Sequence, residues 1–147
     1  MLSRPSFKHS LFLIPLALLL AADPATQPAE RTTPSGLKIV EVKTISDAMT
    51  AQSGDLVWVH YTGRLQSNNR VFDSSLSTPK SPIPFKLGAR EVIQGWDEGL
   101  VGMKVGEKRQ LIIPPTLAYG AAGTGPIPPN ATLVFDVELV GIYRQGK

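Results

Sequence analysis

From Leu37 onward, apolar and polar residues mostly alternate with a period of two. Leu37-Lys38-Ile39-Val40-Glu41-Val42-Lys43 predicts a first strand, and Asp55–Leu65 a second. In the second, Val57, Val59 and Tyr61 share one face, and Trp58, His60 and Thr62 share the other. Val71-Phe72 predicts a short third stretch and Lys108–Ile113 a fourth. Ala131–Tyr143 is the clearest, with Leu133, Phe135, Val137 and Leu139 alternating with Val134, Asp136, Glu138 and Val140. Such alternation suits an antiparallel sheet with one covered face. One segment changes period: Val92, Ile93, Trp96 and Leu100 follow helical spacing, with Asp97 and Glu98 on the polar side. Gly95 and Gly99 weaken this helix in isolation by roughly 1 kcal/mol each relative to alanine. Packing against the sheet would compensate, because glycine permits close backbone approach and Trp96 buries a large area. The predicted class is α+β: a mostly antiparallel, curled sheet wrapped around one short helix.

Upstream the pattern is different. Arg4, Lys8 and His9 precede the apolar run Leu11–Ala22. A basic stretch followed by an apolar one is the pattern of a secretory signal peptide. The run has 12 residues, short of the ~20 that span a bilayer. The expected signal is residues 1–22, with cleavage after Ala22; Leu20, where a small residue is preferred, keeps an uncleaved membrane tether as the alternative. Residues 23–36 carry three prolines and many small polar residues, the composition of a flexible linker. The folded domain is expected over 37–147.

Composition then removes function classes. The net charge of +3 falls to near +1 without Arg4 and Lys8, and the remaining cations lie among acids, so no basic nucleic-acid surface is indicated. Without cysteine there is no disulfide framework, no thiol nucleophile and no thiolate metal site. His60 is the only histidine beyond the leader, and no His/Asp/Glu cluster has metal-ligand spacing. Ser74 has no Gly-x-Ser-x-Gly surroundings. Gly120–Gly125 lacks the Lys-Ser/Thr of a phosphate-binding loop. What remains is a supply of aromatic and β-branched residues beside loops rich in glycine and proline. That composition suits a plain core or a concave apolar ligand site equally.

Ordered motifs separate these readings. They are Val59-His60-Tyr61-Thr62-Gly63, Val71-Phe72-Asp73-Ser74-Ser75, Phe85-Lys86-Leu87-Gly88, Glu91–Leu100, Gly102–Glu107, Leu117-Ala118-Tyr119-Gly120 and Ile127–Leu139. Together, from Leu37 to Tyr143, they resemble the FKBP family of peptidyl-prolyl cis–trans isomerases. The resemblance implies a sheet curled over a short helix, with the active pocket between them. It implies Trp96 as the pocket floor and Tyr61, Phe72, Val92, Ile93, Tyr119 and Phe135 as its walls. Asp73 and the Tyr119 hydroxyl are the polar groups, and the Ile93 N–H is the donor to a ligand carbonyl. Ile83, Phe85, Glu91 and Ile127 are the implied substrate contacts around them. Asp73 with Ser74 and Ser75 also suits a simple turn, and Val92 and Phe135 also suit a core.

The implied reaction needs no cofactor and no metal. The implied partners are proline-containing peptides and folding exported proteins, with macrolide inhibitors as further ligands. A monomer is expected in a periplasm or outside the cell, with membrane contact only through an uncleaved leader. The same pocket could instead serve a binding module or chaperone. Two departures from the family pattern bear on substrate preference. Ile83 stands where members often carry an aromatic residue, and the loop Ser77–Pro82 lacks the arginine that partners the aspartate in some members.

Overall fold

The computed structural model describes residues 27–146; the expected signal peptide lies outside the described residues. Seven strands form one antiparallel sheet: β1 Glu30–Thr32, β2 Lys38–Lys43, β3 Leu56–Leu65, β4 Val71–Ser74, β5 Ile83–Lys86, β6 Lys108–Ile113 and β7 Leu133–Tyr143. The order is β1-β2-β6-β7-β3-β4, with β5 also paired to β3. Among the described residues there is one α-helix, α1 Gln94–Gly99, which lies between β5 and β6 in the chain. The class is the expected α+β.

Strand parity sets the core. Along β7, Leu133, Phe135, Val137 and Leu139 are buried while Asp136 and Val140 are exposed. Val57 and Val59 of β3 and Leu111 and Ile113 of β6 join them on the covered face. The covered face packs against α1. Gly95 is required there: a Cβ at this position would lie 2.5 Å from Ile113 Cγ2. The close approach seats Trp96 in the core, 4% exposed. Arg109, itself buried, closes the other end of the helix. Its Nη1 donates to the carbonyls of Gly99 (2.9 Å) and Val101 (3.0 Å), and its Nε to Glu41 (3.1 Å).

Two strands differ from the sequence pattern. Within the segment expected as linker, Glu30–Thr32 pairs with β2 as an edge strand whose side chains are all exposed. No hydrophobic alternation marks it, because it has no buried face. Ile83–Lys86 forms β5 despite Pro84. Proline is tolerated because β5 pairs only with β3 and its far side donates to no strand.

β3 carries the site. One edge pairs with β7 along its length; the other is shared, with β5 opposite Leu56–Val59 and β4 opposite Thr62–Arg64. Between those neighbours lies a gap at His60-Tyr61.

The chain end is clamped back onto the domain. Arg144 donates from Nε and Nη2 to the two carboxylate oxygens of Asp55 at 2.7 Å each, and from Nη2 to the Thr50 carbonyl at 2.9 Å. Asp55 is 3% exposed and also accepts the Gln52 N–H. The Arg144 guanidinium, helped by that N–H, holds the Asp55 carboxyl below the usual carboxylate range. A folded-state pKa below the unfolded one adds stability at neutral pH, and this is lost as pH falls through the carboxylate range. Asp55→Ala is therefore expected to destabilise by about 1.5–3 kcal/mol at neutral pH, since it removes a buried carboxylate and the hydrogen bonds it accepts from Arg144 and the Gln52 N–H. In thermal melts the gap to wild type should narrow as the buffer is taken below the ordinary carboxylate pKa. A gap that stays constant would deny Asp55 its ionised role.

Candidate functional site

A cavity of about 200 Å³ opens between α1 and the sheet, lined by Tyr61, Phe72, Asp73, Ile83, Glu91, Val92, Ile93, Trp96, Tyr119 and Phe135. All eight residues expected as catalytic converge there. They arrive from several parts of the fold: Tyr61 on β3, Phe72 and Asp73 on β4, Phe135 on β7, and Trp96 on α1. Val92 and Ile93 come from the turn leading into the helix. Tyr119 follows the short 3-10 turn Pro115–Leu117.

The floor is an aromatic cluster. The Trp96 ring meets Tyr61 edge-on at 5.0 Å and Phe135 at 5.2 Å. Phe72 stands edge-on to Phe135 at 5.6 Å. These are the preferred geometries of aromatic pairs, each contributing about 0.5–1.5 kcal/mol beyond burial. Rings locked against one another present a rigid apolar surface. The Trp96 Nε1–H is buried without an acceptor among the described residues.

Polar groups sit at the mouth. The Tyr61 hydroxyl donates to Asp73 Oδ2 at 2.6 Å. Burial, and then the neighbouring Asp73 carboxylate, pushes the Tyr61 phenol far above its ordinary pKa, so it stays protonated. Among the described residues Asp73 has no ion-pair partner. The carbonyl of Ile93 accepts from Trp96 N–H (3.0 Å) and Asp97 N–H (3.3 Å), while its own N–H enters none of the described hydrogen bonds. That leaves a backbone donor free beside the cavity.

The expected substrate contacts divide. Ile83 and Glu91 line the cavity, and the Glu91 carboxylate is also occupied by the Lys86 N–H at 2.8 Å. Phe85 and Ile127 do not reach it. Phe85 shares the inward face of β5 with Ile83 but lies deeper, 5.7 Å from the Trp96 ring on the core side. Ile127 is buried in the core beneath its loop, where it pairs with Thr124.

Two positioning residues escape sequence reasoning. Ser75 fills the gap in the edge of β3: its Oγ accepts the Tyr61 N–H at 2.8 Å, and its own N–H donates to the Tyr61 carbonyl at 2.9 Å. His60 Nδ1 lies 2.9 Å from the same hydroxyl. The backbone of Tyr61 is thus fixed where no strand is available. Asp97, on the helix, accepts the N–H groups of Gly88 (2.8 Å) and Arg90 (3.0 Å). It holds Arg90 at φ 61, in the left-handed region, and with it the turn that delivers Val92 and Ile93. Both contacts link side chains to distant backbone, which no local motif reveals.

Among the described residues the cavity lining contains no serine, threonine, lysine or histidine. It offers apolar surface, a fixed hydroxyl–carboxylate pair and an unused N–H.

Comparison with known proteins points to one family. The family model for FKBP-type peptidyl-prolyl cis-trans isomerase matches residues 47–140. The chain is 54% identical over 120 residues to FK506-binding protein 2 of Candida glabrata, covering 79% of this chain and 88% of that one. It is 60% identical over 93 residues to the peptidyl-prolyl cis-trans isomerase FPR2 of Saccharomyces cerevisiae, covering 63% and 68%. Among solved structures, the crystal structure of AtFKBP13 superposes with a TM-score of 0.69 at 40% identity, covering 77% of this chain and 98% of that one.

Proposed function

This chain belongs to the FKBP-type family of peptidyl-prolyl cis–trans isomerases, and on that premise we propose that the aromatic cavity over Trp96 is its isomerase site, acting on X–Pro bonds of exported proteins. The observation that carries the assignment is the convergence of Tyr61, Phe72, Asp73, Ile93, Trp96, Tyr119 and Phe135 on one small apolar cavity.

The chemistry fits the inventory. Rotation about X–Pro faces a barrier of roughly 18–20 kcal/mol because resonance flattens the amide. The twisted transition state loses that resonance and its charge separation. An apolar surface of locked rings favours the twisted, less polar form over the planar one. The Ile93 N–H and the Tyr119 hydroxyl anchor the chain on either side, so rotation occurs about a held bond. Catalysis is differential binding of the twisted amide; no bond breaks and no proton moves.

The test is cis-to-trans exchange in X–Pro peptides, with and without the full chain. Acceleration is expected, with kcat/KM flat from about pH 6 to 9, because the Tyr61 phenol stays protonated well above this range. Peptide binding by a folded chain without acceleration would move the site to a binding module. A rate that follows a group titrating near neutrality would contradict a mechanism without proton transfer.

Export rests on the leader, Arg4 and Lys8 followed by Leu11–Ala22. On this reading the clients are folding proteins in a periplasm or outside the cell, met by a monomer, and macrolides compete for the same cavity. Residues 1–26 fused to a reporter active only after translocation should deliver it; a reporter that stays silent while synthesised would overturn the export reading.

A further inference from the structure

The prolyl cavity is small, below the roughly 300–1,000 Å³ typical of sites that enclose a whole ligand. It can enclose a prolyl ring and little more, yet a polypeptide substrate advances about 3.3–3.6 Å per residue and must continue across the surface. A second cavity of about 650 Å³ lies next to it, lined by Gly88, Arg90, Val92, Gln94, Asp97 and Glu98. The two share Val92 as a common wall.

The polar groups of this second cavity differ in how they are engaged. Both Asp97 oxygens accept backbone N–H groups of the turn. The Glu98 carboxylate is met by the Ser35 hydroxyl, at 2.7 and 2.8 Å to its two oxygens. By contrast, neither the Arg90 guanidinium nor the Gln94 amide makes a hydrogen bond or ion pair among the described residues. Both side chains are exposed. Asp97 clamps the Arg90 backbone in the left-handed conformation, so the base of this side chain is fixed. The free groups are therefore donor-rich: a guanidinium with five N–H donors, and an amide with two. Backbone carbonyls of an extended chain are the acceptors such a surface would take.

We infer that the cavity walled by Arg90 and Gln94 is an extended-chain subsite, which binds the segment flanking the proline through its carbonyl groups while the prolyl bond occupies the neighbouring cavity. The inference rests on the isomerase reading for its substrate. Because these contacts lie away from the rotating bond, they are made equally in the planar and twisted forms. They should lower KM and leave kcat unchanged.

The experiment compares a short X–Pro peptide with peptides lengthened by about four neutral residues, roughly 13 Å of chain, at one end or the other. The full chain is assayed as wild type and as Arg90→Ala/Gln94→Ala. Lengthening at one end should raise kcat/KM by roughly tenfold through KM. The double variant should lose that gain while turning over the short peptide as wild type does. No gain at either end, or a gain that survives in the double variant, overturns the subsite. Binding titrations of the same peptides separate the two readings. Tighter binding of the long peptide, removed by the double variant but without turnover, would sink only the isomerase reading. Equal binding of long and short peptides would sink the subsite even if turnover is normal.

Discussion

Replacing Trp96 by alanine should lower kcat/KM for X–Pro exchange by about a hundredfold, which corresponds to roughly 2.7 kcal/mol of lost transition-state binding. Trp96 is at once floor and core. Its ring contacts Tyr61, Phe135 and Phe85 at 5.0, 5.2 and 5.7 Å. Removing it deletes the apolar plane beneath the prolyl ring and unlocks two walls together. The same change should cost about 3–5 kcal/mol of stability, as large-to-small substitutions of buried aromatics do. The two effects are separable. Activity is measured at a temperature where circular dichroism shows the variant folded, and Trp96→Phe is assayed beside it. Phenylalanine keeps an aromatic floor and deletes the unpaired Nε1–H, so it should retain most of the activity. A folded Trp96→Ala variant with wild-type kcat/KM would remove this cavity as the site of catalysis.

The sheet's long strands were legible because each buries one face. β6 falls where the alternation predicts, and β7 alternates except at Val134, which is buried along with Leu133 and Phe135. The helix was legible in part, from a local change to helical spacing that places Trp96 inward, but Val92 and Ile93 precede α1 and Leu100 follows it. β1 and β5 were not legible: one has no buried residue, and the other contains a proline that only its edge position permits. In the site, residue types were readable from motifs, but their order of depth was not. Ile83 and Phe85 share a strand face, and parity alone does not say that the first meets the cavity and the second the back of Trp96. Ser75 and Asp97 were invisible in their roles because each satisfies backbone groups brought near by folding, Ser75 across a strand gap and Asp97 across the Gly88–Arg90 turn.

The shape of the cavity wall depends on a missing side chain. Gly63 lies on β3 opposite Phe135 of β7 in one register and Asp73 of β4 in the other. A Cβ there would lie 2.5 Å from Phe135 Cε1 and 2.7 Å from Phe72 Cζ. Both rings are edge-on to each other and belong to the cavity lining. Phe135 cannot retreat freely, because it is buried against Trp96 and Tyr61. Gly63→Ala must therefore displace the rings toward the open space of the cavity. Overpacking of this kind costs about 1–3 kcal/mol, which a domain of ordinary stability survives. The loss of activity should be disproportionate, about a hundredfold in kcat/KM, because displacements near 1 Å in a positioned site have effects of that size. Gly141→Ala is the matched control: on β7, its added Cβ would meet Trp58 at an ordinary 3.7 Å, outside the cavity lining. It should leave both melting temperature and turnover near wild type. If Gly63→Ala lowers the melting temperature but keeps full activity, the rings have moved away from the bound proline, and the wall formed by Phe72 and Phe135 does not shape catalysis.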